Sequence, residues 1–228
     1  MRYRLLPVFS ELLKADPAMQ ALIEKMREPY AAAHARKIAT ADRLLYRRGN
    51  FGGSVDQLIC DALRSEFDAE IALSPGFRWG SSVLPGQPVT MEDVLTETAI
   101  TYPETYVSDM TGSQIKDILE DVCDNLFNAD PYYQQGGDMV RVGGFVYTCT
   151  PGESAGRRIS NLQLDNGRTL EAGKSYKVAG WASVNEQQGK PVWDIFARHL
   201  AARKTSSPRS GGVTLRGVDD NPGIAVQG

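Results

Sequence analysis

The 228-residue chain sets 25 Lys and Arg against 28 Asp and Glu, a net charge of -3 that removes the electrostatic case for nucleic-acid binding. Apolar residues form 42% of it, enough for a real core, and no run reaches the ~20 apolar residues of a membrane span. The N-terminus shows no signal-peptide pattern, and Cys60, Cys123 and Cys149 have the spacing of neither a zinc site nor a disulfide framework.

Residues 1–49 read as an interdomain linker, and residues 50–228 as the compact domain. In the linker, Asp16-Pro17 is a helix start, and Met19, Leu22, Ile23 and Met26 follow at helical spacing. Pro29 interrupts that helix. The compact domain opens at Phe51-Gly52-Gly53. Ser54-x-x-Gln57 reads as a capping box for a helix whose inner face is Val55, Leu58, Ile59, Ala62, Leu63 and Phe67. A short strand through Ile71 and Leu73 ends at Pro75-Gly76, with Phe77-Arg78-Trp79 on the following loop.

Thr90-x-x-Asp93 caps a short helix. Residues 99–109 are rich in Thr, Tyr, Val and Ile and read as extended. Thr111-x-x-Gln114 caps the clearest helix, with Ile115, Ile118, Leu119, Val122 and Leu126 inward and Lys116, Asp117, Glu120, Asp121 and Asp124 in water. Residues 139–147, 159–164 and 176–181 read as strands. A last helix begins at Lys190-Pro191, and Val213 to Leu215 offers an edge strand before a loose tail. Cys60 and Cys123 fall on apolar helix faces as small core residues. Cys149, before Thr150-Pro151-Gly152, is expected at the surface, with a redox role as the lesser alternative. Helices and strands mix without regular alternation, which gives an α+β sandwich with helices covering packed sheets.

The chemically dense stretch is Pro131-Tyr-Tyr-Gln-Gln-Gly-Gly-Asp-Met-Val-Arg141. Its glycines admit close approach of a ligand to backbone, and Tyr and Arg are typical recognition anchors. The competing reading is a glycine turn feeding a strand. No hydrolytic centre is legible: His34 and His199 are the only histidines, and no nucleophile elbow, P-loop or dinucleotide fingerprint is present.

Ile100-Thr-Tyr-Pro-Glu-Thr-Tyr106 and Asp130-Pro-Tyr-Tyr-Gln-Gln-Gly-Gly-Asp-Met-Val-Arg-Val-Gly-Gly144 resemble the C-terminal domain of the SoxB-type thiosulfohydrolases of bacterial sulfur oxidation, within the 5'-nucleotidase superfamily. The resemblance runs from about Tyr3 to about Gly223. It implies a four-layer α/β/β/α sandwich after a linker helix. It also implies a missing N-terminal metallophosphoesterase domain with two manganese ions, and no cofactor in this chain. The implied reaction releases sulfate from a cysteine S-thiosulfonate on a SoxYZ-type carrier protein, in the periplasm. Neither nucleic acid nor membrane is expected as a partner. The fragment is expected to bind substrate and to be inactive alone.

By the same resemblance, Gly76-Phe77-Arg78 matches the substrate-holding Gly-x-Arg of nucleotidases, where Arg78 offers a fork to sulfonate or phosphate oxygens. The first base-stacking loop reads Thr101-Tyr102-Pro103 and the second lies near Gly136-Gly137-Asp138. Neither keeps the nucleotidase Phe, which argues against a purine clamp. Tyr102, Tyr132 and Tyr133 are candidates to line a channel for the carrier's arm. Arg141 is either a second anion contact or a strand salt bridge, and Asp138 either orients it or bonds turn amides. The alternatives are a 5'-nucleotidase or UDP-sugar hydrolase module, and a non-catalytic partner-binding module.

Overall fold

The computed structural model describes residues 3–9, 12–77, 79–183, 188–202 and 212–220. Arg78, the tail after residue 220 and the segment 203–211 lie outside the described residues.

The order of elements is α1 (Pro17–Arg27), a 3-10 turn (Glu28–Tyr30), α2 (Ala31–His34), β1 (Lys37–Thr40), α3 (Ser54–Phe67) and β2 (Ile71–Ser74). Then come β3 (Pro88–Thr90), α4 (Met91–Thr98), β4 (Thr105–Thr111), α5 (Gly112–Phe127) and a second 3-10 turn (Pro131–Tyr133). The chain continues through β5 (Arg141–Gly143), β6 (Phe145–Cys149), β7 (Ile159–Leu164), β8 (Ser175–Trp181), α6 (Val192–Ala202) and β9 (Val213–Leu215). The result is a mixed α+β fold. Among the described residues no helix is long and apolar enough to cross a membrane.

The central sheet has the order β4-β8-β2-β5. β2 runs parallel to β8, while β5 and β4 run antiparallel to their neighbours. All four residues of β2 are buried, and they alternate between two cores as the period of a strand requires. Ala72, with Ala179 and Trp181 of β8, joins α3 and α6 in one core. Ile71 and Leu73, with Tyr176 and Val178, face the other core, built from α5 and β6–β7. Leu58, Ile59 and Leu63 of α3 are fully buried, each worth about 1.5–3 kcal/mol of apolar transfer.

The first core also takes in Ala39, Ala41 and Leu45, so packing begins at β1, upstream of Phe51. α1 contributes no buried residue; Asp16 caps it, and Arg27 reaches Glu92 of α4.

Several local expectations change. The N-cap of α3 is Gly53, whose N–H donates to Asp56 Oδ2 at 2.8 Å. Ser54 instead fastens the preceding loop, accepting from Tyr46 N at 3.0 Å and donating to Leu44 O at 2.9 Å. The long strand expected over 139–147 is broken at Gly144, whose φ of +92° favours glycine and whose Cβ position is filled by Glu70 O. The extended segment after α4 starts its pairing only at Thr105. The last helix starts at Val192, after Pro191.

Glu120 is not in water. Its carboxylate accepts the N–H groups of Gly156, Arg158 and Ile159 at 3.0, 3.2 and 2.8 Å, holding the β6–β7 connection onto α5. One turn on, Asp124 accepts from Arg158 Nη1 at 2.6 Å, and this bond holds its carboxyl below the usual range. Cys149 is fully buried, because it ends β6 facing the second core.

Candidate functional site

The strand registers assemble the site. Ser74 pairs with Arg141, Leu73 with Gly180, and Thr105 with Trp181, so these positions form one row across the sheet. β2 and β8 end at that row, while β5 and β4 begin there. The loops 75–80, 99–104 and 134–140 therefore converge on a single sheet edge. Adjacent strands lie about 4.8 Å apart, so the four span roughly 15 Å. The carboxyl ends of parallel strands are the usual place for ligands in such sheets.

Below the edge lies a buried ionic network centred on Arg47, whose side chain is 0% exposed. Its Nε donates to Asp56 Oδ1 at 2.7 Å, its Nη1 to Glu97 O at 2.7 Å and its Nη2 to Pro75 O at 2.8 Å. The guanidinium stands 5.1 Å from the Phe77 ring centre and 5.4 Å from that of Trp181. Trp181 Nε1 donates to Ser74 Oγ at 2.8 Å. One cation thus gathers α3, the end of α4 and the loop that leaves β2.

Asp56 also faces Arg141, with Oδ2 lying 3.3 Å from Nε. Arg141 Nη2 donates to Gly49 O at 2.8 Å and to Asp138 Oδ2 at 3.4 Å. Burial lowers the Arg141 pKa, opposed by Asp56 and Asp138. Arg141 is therefore fixed inside the protein in ion pairs, and Asp138 faces it. The Arg141 Nη1 atom has no hydrogen-bond partner among the described residues.

Glycines join the loops. A Cβ on Gly76 would run into Met139 O and come within 2.8 Å of Asp138 Cβ, so only glycine lets loops 75–80 and 134–140 touch. Gly80, at φ +108°, lies against the Glu97 carboxylate. Burial pushes that carboxyl up to about 8, so it holds its proton at neutral pH, and Oε2 has no hydrogen-bond partner among the described residues. Phe77 stacks on Trp79 with ring centres 3.7 Å apart, and its edge meets Trp181.

Several aromatic side chains of these loops and of the 3-10 turn before the last of them are exposed. Tyr102 is 48% exposed, Tyr133 68% and Tyr132 95%, and Trp79 is also exposed. Gly136 and Gly137 have φ of +81° and +95°, and a Cβ on either would meet nothing within 4 Å. Space lies beside both positions, while the Gly136 N–H donates to Asn125 O at 3.1 Å. Among the described residues no group of His, Cys, Asp and Glu could hold a metal ion.

The expected residues Tyr102, Gly136, Gly137, Asp138 and Arg141 thus lie on or just behind one edge. Tyr132 and Tyr133 lie on the 3-10 turn between α5 and the 134–140 loop. Arg78 lies outside the described residues, between Phe77 and Trp79. Sequence reasoning missed Arg47, Asp56, Glu97 and Trp181. Only the buried spacing of Asp56 beside Val55 on α3 offered a signal for them.

The chain is thus a mixed α+β domain whose two parallel strands end where three loops converge. The chain belongs to the family described as the 5'-nucleotidase C-terminal domain, whose model matches residues 35–198. Among solved structures it is similar to the sulfate thiohydrolase SoxB of Thermus thermophilus, solved in complex with glycerol, with 32% identity and a TM-score of 0.87. That match covers 95% of this chain and 42% of the other, so this chain spans less than half its length. A 5'-nucleotidase precursor from Thermus thermophilus shares the fold at 19% identity and TM-score 0.70, covering 88% and 43%. The NAD nucleotidase of Haemophilus influenzae does so at 16% and 0.66, covering 88% and 41%. No curated protein matches the chain significantly.

Proposed function

We propose that the chain is the substrate-binding C-terminal part of a thiosulfohydrolase of sulfur oxidation. The full enzyme releases sulfate from a cysteine S-thiosulfonate on a SoxYZ-type carrier in the periplasm. The observation that carries this reading is the 32% identity to a sulfate thiohydrolase over 95% of the chain, against 19% and 16% for the nucleotidases. Two features of the edge support it. The two loops that carry the stacking Phe residues in nucleotidases here read Thr101-Tyr102-Pro103 and Gly136-Gly137-Asp138, without a Phe. The row of loops, roughly 15 Å wide, suits an extended peptide arm better than a single ring.

In this reading Arg78 meets the sulfonate oxygens, while Tyr102, Tyr132, Tyr133 and the backbone at Gly136 and Gly137 receive the arm. Arg47, Asp56, Asp138 and Arg141 keep the loops at their spacing. In this reading the activated water would come from two manganese ions held by a separate metallophosphoesterase domain, and the residues of this chain would only bind and orient the substrate. The test uses the full-length enzyme, measuring sulfate release from a thiosulfonated carrier peptide and phosphate release from AMP. Sulfate release alone is expected; efficient AMP hydrolysis with no sulfate release overturns the reading and favours a nucleotidase.

A further inference from the structure

Two cysteines unused by the site lie together in the second core. Cys123 on α5 and Cys149 at the end of β6 place their sulfurs 3.6 Å apart, and both residues are fully buried. They come from different elements, 26 positions apart in the chain. Cys60 belongs to the other core, with α3 and α6. The pair is held in place from both sides. Glu120, one turn before Cys123, binds the backbone of Gly156, Arg158 and Ile159, and Asp124 binds Arg158. Ile159 in turn pairs with Cys149 across the β6–β7 ladder. The same contacts that seat α5 therefore fix the distance between the sulfurs.

We propose that Cys123 and Cys149 are a disulfide-forming pair that locks α5 to β6. A disulfide brings its sulfurs to about 2 Å, so closure asks for a movement of about 1.5 Å, within the reach of side-chain rotation. α5 leads directly into the turn Pro131–Tyr133 and the loop that ends at Asp138. The bond would therefore anchor the base of the recognition loop.

The chemistry balances with a disulfide oxidant such as glutathione disulfide. One thiolate attacks the oxidant, giving a mixed disulfide and one glutathione. The second thiolate attacks the protein sulfur of that mixed disulfide and expels the other glutathione. The two protein thiols lose two protons and two electrons, and the oxidant becomes two thiols. The hydrogen bond with Cys149 and then burial push the Cys123 thiol well up, so the reaction runs faster while α5 has yet to close over the core than in the native protein.

The experiment refolds the reduced protein in a glutathione and glutathione disulfide buffer, and separately treats native protein with diamide. Free thiols are then alkylated in denaturant and counted by intact mass, with peptide mapping of any bond. A single alkylated thiol at Cys60 and a linked peptide pair containing Cys123 and Cys149 are expected. The oxidised form should melt on the order of 10 °C above the reduced form, as a closed loop of this length predicts. Cys123→Ser should leave two alkylatable thiols under both treatments. Three free thiols in the wild type after both treatments, or a bond that includes Cys60, overturns the proposal.

Discussion

Replacing Asp56 by Ala tests the ionic support of the site most directly. Its carboxylate is 3% exposed and sits between Arg47 and Arg141, whose side chains are 0% and 2% exposed. Without it the two guanidinium groups share that interior with Asp138, whose Oδ2 lies 3.4 Å from Arg141 Nη2. Removing one partner of a buried pair costs about 3–5 kcal/mol, because the orphaned charge cannot recover its water. Asp56 also accepts the Gly53 N–H that caps α3, worth about 1 kcal/mol more. The sum, roughly 4–6 kcal/mol, should lower the melting temperature by about 10–20 °C in a domain of this size. Urea titration followed by Trp fluorescence and by circular dichroism measures it. Asp56→Asn should cost less, since it keeps a cap acceptor. Asp56→Ala with Arg141→Met should recover part of the loss, since one stranded charge is gone. A loss below about 1 kcal/mol for Asp56→Ala would refute the view that this network holds the edge together.

Other consequences are equally open to measurement. Glu97 binds its proton in the folded state up to about pH 8 and releases it unfolded near 4.5, so stability should fall as pH rises between those values and level off above. Glu97→Gln should lack that slope, and parallel stability–pH curves for the two proteins would contradict it. Glu120→Ala strands three backbone N–H groups and should cost about 2–4 kcal/mol, read from urea melts; an effect within 0.5 kcal/mol, about the size of a neutral surface change, would restore it to the solvated face. Gly76→Ala pushes against Asp138 Cβ at 2.8 Å and should cost about 1–3 kcal/mol while weakening carrier binding, checked by melting and by peptide titration. In the full-length enzyme, Trp79→Ala should raise KM for the carrier peptide about tenfold with stability nearly unchanged, and an unaltered KM would remove the aromatic surface from recognition.

The periodic parts of this fold were open to reading and the converging parts were not. α3 and α5 declare themselves through apolar residues three and four apart, and their inward sides packed as expected, Glu120 excepted. Glu120 defeats the pattern because three amides solvate it as water would, which no spacing announces. Tyr102 and the 131–141 segment stood out because Tyr, Gly and Arg crowd together without a helical or strand period to explain them. Arg47 did not, since it lies in a stretch without periodicity and its partners Asp56, Pro75 and Glu97 are distant in sequence. Cys149 was misplaced because the turn after it looked exposed, whereas the pairing of β6 with β7 and β9 turns its side chain inward.

The parallel neighbour of β2 in the sheet, β8, is synthesised long after it, and α6, which packs on α3, later still. Until Ser175–Trp181 has left the ribosome, β2 has β5 beside it and an open edge on its other side. The domain is thus finished from its far end: early segments wait, with their apolar sides unsatisfied, for late ones. A chain stopped after β7 would keep every residue of the loops at 75–80, 99–104 and 134–140 and still have no edge on which to align them.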